Sequence, residues 1–160
     1  MREILFRGKR TDNGEWVEGY LSKSRDENKQ LKLCIDHEEQ GVMCSSIVIP
    51  ETRGQYTGLT DKNGKKIFEG DILKIEKIGN GLGDYYNPPL PYPVNVVVKW
   101  DLCAWMWETL CEDKRYISFP DAWCHFRCEV IGNIHDNPEL MVYGYQYCPR
   151  CGARMNGERE

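Results

Sequence analysis

The sequence predicts a mostly β fold with little helix, either a complex small barrel or coiled antiparallel sheets of short strands. Two Asn-Gly steps, at Asn13-Gly14 and Asn63-Gly64, each lie between apolar runs, and this dipeptide is a strong hairpin signal. Residues 31–35 alternate with the period of a half-buried strand. Five Trp and nine Tyr add large rings, which favour sheets and interfaces over long helices.

The predicted strands follow one another at short intervals along the chain. The first hairpin joins residues 4–8 to 17–21, and Asn13-Gly14 is predicted to supply the two positive-φ residues of a type I′ turn. The second Asn-Gly hairpin joins 55–60 to 65–68 and leads into a tight turn at 69–71. The remaining strand candidates, all rich in apolar residues, are 31–35, 42–44, 47–49, 72–78, 94–100, 104–108 and 128–134.

Polar residues, Gly and Pro predict the connections. Residues 22–30 are predicted to form a loop tip and 36–41 a polar turn. Residues 79–93 contain three Gly and four Pro, so they are predicted to form a long loop that serves as a contact surface. Asn137 followed by Pro138 predicts the start of a short helix.

Charge and hydropathy narrow the functional classes. The chain has 160 residues, of which 21 are basic and 25 acidic, for a net charge of −4. That balance disfavours a protein that binds nucleic acid through phosphate neutralisation. No apolar run reaches the ~18 residues of a membrane helix. The charged start, MREILFRGKR, is not typical of an export signal, so we expect a cytoplasmic protein without membrane contact.

The eight cysteines are predicted to be reduced thiols or metal ligands, because we expect no export to an oxidising compartment. Cys148 and Cys151 have the spacing of a zinc knuckle, with Gly152 after the second thiol to allow a tight turn. We therefore predict a structural zinc ion on this pair. A structural site needs four ligands, and Cys124 and Cys128 are the predicted remaining two.

That completion requires a bend. If residues 124–128 were all extended, the sulfurs of Cys124 and Cys128 would lie about 13 Å apart at ~3.3 Å per residue, too far for one ion. The rival completions are Cys103 with Cys111, or ligands from another subunit. The alternative without metal is that Cys148 and Cys151 form a redox-labile or simply reduced pair.

Catalytic constellations are weak in this sequence, and we predict that the protein is not an enzyme. Cys34 with His37, or Cys124 with His125 or His135, would supply a thiol and a base, but sequence neighbours seldom have the required geometry. Glu69 and Asp71 could act as a carboxylate pair. Turn chemistry is the favoured interpretation, since such residues more often bond turn amides.

Four segments carry a family resemblance. They read ILFRGKR (4–10) with GEW (14–16), QYTGLTDKNGKKIFEGDI (55–72), VVKW (97–100) and EVIGNIHDNPEL (129–140). In these motifs the chain resembles the YopX family of phage and prophage proteins. It departs from the common pattern at His135, where an aromatic residue is expected, and in its Cys-bearing tail. The resemblance implies a β domain over 1–140, and the Cys-bearing tail forms a separate segment at 141–160.

The resemblance also implies a coiled β arrangement, homo-oligomers and no established activity. We therefore hypothesise a phage or prophage accessory protein that acts as an oligomeric binding or assembly module in the host cytoplasm, with a host or phage protein as partner. The alternative is an oligomeric protein that binds a small ligand or nucleotide and sequesters a host-defence signal. An unrecognised enzyme is the third hypothesis.

Overall fold

The computed structural model describes residues 3–75, 94–101, 104–109, 116–118 and 128–141. These residues form a mostly β structure with two antiparallel sheets, which confirms the predicted fold class in its form of antiparallel sheets of short strands. The described residues up to Leu59, together with Lys66–Glu69, make one compact unit; Thr60–Lys65 and the described residues from Gly70 onward make a second. Nowhere in these ranges does a helix combine the length and apolar character that a bilayer span requires.

The sheet of the first unit has six described strands, in the spatial order β4-β3-β2-β1-β5-β6. They are β1 Phe6–Lys9, β2 Trp16–Arg25, β3 Leu31–Glu39, β4 Val42–Ile47, β5 Gly54–Thr60 and β6 Lys66–Phe68. A short 3-10 helix, Pro50–Thr52, precedes β5. Both predicted Asn-Gly hairpins are present, because β1 pairs with β2 and β5 lies beside β6.

The sheet of the second unit has five described strands, in the spatial order β10-β9-β8-β7-β11. They are β7 Asp71–Ile75, β8 Val94–Asp101, β9 Ala104–Thr109, β10 Tyr116–Ser118 and β11 Cys128–Asn133. A 3-10 helix, Pro138–Met141, follows β11, as the Asn137-Pro138 step predicted. The predicted loop 79–93 lies outside the described residues.

The core of the first unit lies inside a curl of its sheet. Arg10 forms a β-bridge with Val48, so the end of β4 returns to the end of β1. The amide of Thr11 donates to the Ile47 carbonyl at 3.0 Å. Val17, Ile35 and Val48 are buried within the curl, and burial of such apolar side chains is the main source of stability here.

The core of the second unit is built from runs of consecutive apolar residues. Ile72 and Leu73 on β7 and residues 96–98 on β8 are all fully buried. Consecutive residues of a strand point to opposite faces, so both faces of these two strands are covered. The predicted strand at 94–100 is confirmed, but its burial is complete at 96–98, whereas Trp100 is 50% exposed.

The predicted type I′ turn at Asn13-Gly14 is wrong. Gly14 has a φ of +74°, but the described non-glycine residues with positive φ are Lys29 and Gln40. The turn is longer, with the Gly14 amide bonded to the Arg10 carbonyl at 3.1 Å. Asn13 accepts a hydrogen bond from the Glu15 amide at 3.0 Å, which favours this wider loop. The positive-φ pair occurs instead at Gln40-Gly41, with values of +52° and +81°.

Two predicted loops are shorter than the sequence indicated. β2 continues to Arg25, which pairs with Leu31, so the loop tip spans 26–30 rather than 22–30. β3 likewise continues to Glu39, where a polar turn had been predicted, and 42–44 and 47 belong to one strand. Polar side chains extend these strands because the far ends of the hairpins are exposed on both faces, so period-two apolar patterning is not required there.

Candidate interaction surface

The predicted zinc ligands fall mostly outside the structure. Cys124, Cys148 and Cys151 lie outside the described residues, as do the rival ligands Cys103 and Cys111. Cys128 is described: it begins β11, is fully buried, and has Ile75 of β7 as its register partner. Within the described ranges no group of three or more His, Cys, Asp or Glu could hold a metal. The zinc site therefore stays a prediction.

The Cys34–His37 pair does not have the geometry of a nucleophile and its base. Cys34 pairs across the strands with Ile47, and His37 pairs with Cys44. Residues three apart on a strand point to opposite faces, so the Cys34 thiol and the His37 ring lie on opposite sides of β3. The ring of His37 instead lies 3.3 Å from the Ile35 carbonyl through Nδ1.

The positions of Glu69 and Asp71 follow from the backbone conformation and hydrogen bonding of the 69–71 turn. Gly70 has a φ of +80°, a conformation that suits glycine. The Glu69 amide donates to the Gln55 carbonyl at 2.9 Å, and Asp71 is fully buried at the start of β7. Glu69 belongs to the first unit and Asp71 to the second.

One edge of the second sheet is blocked by a turn. The Val130 amide of β11 donates to Asp61 Oδ2 at 3.0 Å, and the Lys62 amide donates to the Cys128 carbonyl at 3.0 Å. The Lys62 ammonium also lies 2.9 Å from a Glu129 carboxylate oxygen. The turn therefore occupies hydrogen-bonding groups that an added strand would need.

Asp61 is the centre of this cap. Its Oδ1 accepts hydrogen bonds from the amides of Asn63 at 2.8 Å and Lys65 at 2.9 Å. Burial raises the pKa of Asp61, but the amides of Val130, Lys65 and Asn63 outweigh burial and hold that pKa below its ordinary value. The carboxyl is thus held ionised, because amide donors favour the charged form.

The outer edge of β4 in the first sheet is covered at its end, where the Ile47 carbonyl accepts from the Thr11 amide, but no described residue caps the rest of it. Gln40 and Gly41 make a two-residue turn, so Glu39 and Val42 form a hydrogen-bonded pair. The Val48 amide donates inward to the Leu33 carbonyl at 3.0 Å. Because the pattern alternates along β4, the backbone groups of Met43 and Ser45 point away from β3. No strand among the described residues pairs with them.

We call Val42–Ile47 the β4 edge. It carries neither a charged residue nor proline, the devices by which natural sheets usually protect an edge. Val42 is 61% exposed and Met43 66% exposed. Met43, Ser45 and Ile47 alternate onto one face, which also presents the exposed Tyr20 through the register Tyr20–Asp36–Ser45. The outward backbone groups of Met43 and Ser45 therefore lie next to exposed apolar side chains.

Sequence reasoning predicted strands here but not that β4 is an edge. The order of strands in a sheet depends on residues that are distant in the sequence, so residues 42–49 could not be distinguished from any other short apolar strand. A usable signal was the uncharged run from Gln40 to Pro50, directly after Glu38 and Glu39. Interior strands can omit charges freely, but an exposed strand without them is prone to pairing.

The described elements define a mostly β protein made of two antiparallel sheets. The chain belongs to the YopX family, whose model, described as YopX protein, matches residues 5–142. A similar solved structure is the crystal structure of protein EF1440 from Enterococcus faecalis, which is 25% identical. The alignment covers 88% of this chain and 99% of that chain, with a TM-score of 0.47. No curated protein matches the sequence significantly.

Proposed function

We propose that this protein is a phage or prophage accessory protein that acts by binding, as a homo-oligomer, and not by catalysis. The β4 edge is the observation that carries the proposal. Open strand edges form main-chain hydrogen bonds with an added strand, a recurring mode of protein association. The phage context is what the resemblance to the YopX family implies, and the opposite orientation of Cys34 and His37 removes one candidate catalytic pair.

The occupant of the β4 edge is a second copy of the same edge, related by a two-fold axis. Antiparallel pairing about such an axis places each residue of β4 opposite a residue of the same strand in the other copy. Like charges directly opposite each other destabilise a sheet, and the β4 edge has none. The exposed side chains of Met43 and Ile47 would also be shielded from water, which is favourable. A host or phage protein is then bound by the assembled oligomer in the cytoplasm.

Sedimentation equilibrium tests the oligomer. We expect a mass that is a multiple of 18.7 kDa at micromolar concentration. Ser45→Pro removes an outward amide, and Met43→Lys introduces like charges near the symmetry axis; each should lower the mass toward one chain. Leu31→Lys is the matched control, because Leu31 is 60% exposed but lies on β3, away from the edge.

Two results would overturn parts of this proposal. A wild-type protein of 18.7 kDa alone would refute the oligomer. An oligomer that survives both β4 variants, with circular dichroism showing that they are folded, would refute the β4 edge as its interface. Loss of the oligomer in Leu31→Lys as well would show a general effect of added charge.

We also propose that the C-terminal segment holds a structural zinc ion. Cys148 and Cys151 are the proposed core ligands, with Cys124 and Cys128 completing the site. Support comes from the knuckle spacing of the last pair and from the position of Cys128 at the start of β11, where its backbone is fixed by pairing. A short polar segment has too few apolar residues to fold by burial alone, so metal would supply its ordering free energy.

A further inference from the structure

One face of the first sheet interleaves cations with aromatic rings. Arg7 and Lys9 of β1 share this face with Trp16 of β2, as the register partners Lys9 and Trp16 show. The Arg7 guanidinium carbon lies 4.8 Å from the Trp16 ring centroid, and the Lys9 ammonium lies 5.6 Å from it. Both distances are those of cation–π contacts.

The same face continues across β5 and β6. The Arg7 guanidinium carbon lies 5.0 Å from the Phe68 ring centroid. The rings of Phe68 and Tyr56 are 5.5 Å apart, and the Lys66 ammonium lies 5.8 Å from the Tyr56 centroid. We call this set the cation–aromatic face; its members are Arg7, Lys9, Trp16, Tyr56, Lys66 and Phe68.

Burial divides the cation–aromatic face into a base and an outer layer. Arg7 and Phe68 are buried, and Arg7 Nη2 donates to the Glu69 carbonyl at 3.4 Å. Lys9, Trp16, Tyr56 and Lys66 are partly exposed. The outer rings and ammonium groups are therefore within reach of solvent, while the layer beneath them fixes their positions.

The local charge of this face is opposite to that of the whole protein. On this face, strands β1, β2, β5 and β6 carry three basic residues, Arg7, Lys9 and Lys66, but one acidic residue, Glu18, although the chain has a net charge of −4. Glu18 lies 3.5 Å from the Lys66 ammonium, and both side chains are more than a third exposed. Such exposed pairs are weak, so an anionic ligand can compete for Lys66.

We propose that the cation–aromatic face binds a free nucleotide. An aromatic ring stacks on any base, and the ammonium groups of Lys9 and Lys66 suit a phosphate. On binding, the base would lie against Trp16 or Tyr56 and the displaced ammonium group would turn to the phosphate. The overall negative charge opposes a long polyanion, which selects a free nucleotide over a nucleic-acid strand. Stacking is tolerant of base identity, so the face would discriminate little among bases.

Calorimetric titration of the full chain with adenosine monophosphate tests this inference. We expect saturable binding with a dissociation constant of about 1 mM or tighter, from one stacked base and one charge-assisted contact. Adenosine alone and inorganic phosphate alone should each bind at least about tenfold more weakly, since each lacks one contact. Binding should also weaken severalfold in high salt, because the lysines are partly exposed.

Variants separate binding from a merely structural role. Lys66→Gln removes a partly exposed charge and should weaken binding about tenfold, while Trp16→Leu combined with Tyr56→Leu should abolish stacking. Lys32→Gln is the control: Lys32 is also partly exposed and pairs with Asp26 at 3.4 Å, but it lies on β3. Ser45→Pro should bind like wild type, because the face lies within one copy. The inference can thus fail or hold independently of the proposed oligomer.

Four outcomes would overturn the proposal. The first is no heat of binding at millimolar nucleotide, and the second is unchanged affinity in a folded Lys66→Gln variant. The third is an eight-nucleotide single strand binding more than about tenfold tighter than the mononucleotide at equal salt, which would point to a strand groove instead. The fourth is equal affinity for inorganic phosphate and nucleotide, since stacking would then contribute nothing.

Discussion

Replacing Asp61 with Asn should destabilise the second unit through one buried amide. Asn keeps the shape of the side chain and one carbonyl oxygen, which can still serve the turn amides of Asn63 and Lys65. Its NH2 group then faces the Val130 amide, which donates to Asp61 Oδ2 at 3.0 Å in a buried position. Two donors face each other, and an unsatisfied buried donor costs about 1–3 kcal/mol.

We therefore expect Asp61→Asn to lower the free energy of unfolding by about 2 kcal/mol. With a urea m-value of about 2 kcal/mol/M, the midpoint should fall by roughly 1 M. The assay is urea unfolding followed by tryptophan fluorescence and circular dichroism. Because the acceptor is charged in the native protein, the loss should exceed that for a neutral hydrogen bond.

Asp26→Asn is the matched control. Asp26 Oδ1 accepts from the amides of Asn28 at 2.9 Å and Gln30 at 2.8 Å, the same spacing as in the Asp61 turn. That turn is exposed, and water can replace the lost contacts, so its variant should be much less destabilised. Equal losses in the two variants would refute the role of the buried Val130 amide.

The Asp61 carboxyl should also make stability depend on acid pH. Its pKa is below the ordinary value of 3.8, so its contribution is fully present above about that pH and is lost as pH falls through the lower folded pKa. Asp61→Asn should flatten this part of the pH–stability curve. A wild-type and variant difference that is constant from neutral pH to pH 2 would contradict the assignment.

Gly54→Ala should be more destabilising than Gly64→Ala, because a Cβ at Gly54 would lie 2.5 Å from the Glu69 carbonyl oxygen, whereas a Cβ at Gly64 would meet open space. Thermal unfolding should show a loss of about 2–3 kcal/mol for Gly54→Ala and of ~1 kcal/mol for Gly64→Ala, where φ is +81°. The reverse order would refute the close approach at Gly54. The double variant Cys148→Ser, Cys151→Ser should contain no zinc in elemental analysis but should keep the main unfolding transition, since each sheet has its own core. An unchanged zinc content in this variant would place the metal on other cysteines. Wild-type protein that is purified without chelator and lacks zinc would exclude the site.

The sequence alone determined the local elements. Asn-Gly steps and apolar alternation located both hairpins, and the β-branched, nearly continuous apolar segment at 94–100 predicted a buried strand. These features depend on interactions between residues close in the chain, where side-chain period and turn chemistry act directly. The motifs of 55–72 and 129–140 likewise sufficed for the family resemblance that the YopX match confirms.

Loop lengths were less predictable because a polar sequence can continue a paired strand. Residues 22–25 look like a loop, yet their partners 31–34 extend the ladder. The type I′ turn was predicted at Asn13-Gly14 and occurs at Gln40-Gly41. There the two flanking strands are long and tightly paired from Glu39–Val42 onward, so the ladder imposes the turn on a residue that does not favour it.

Only the tertiary structure decided which strands are edges and which side chains meet. Asp61 bonds to Val130 across 69 residues, and the cation–aromatic face joins β1 and β2 to β5 and β6. β4 is exposed only because the spatial order places it last. The physical reason is that strand order is set by non-local pairing and by burial of the collective core, and neither leaves a fixed spacing in the sequence.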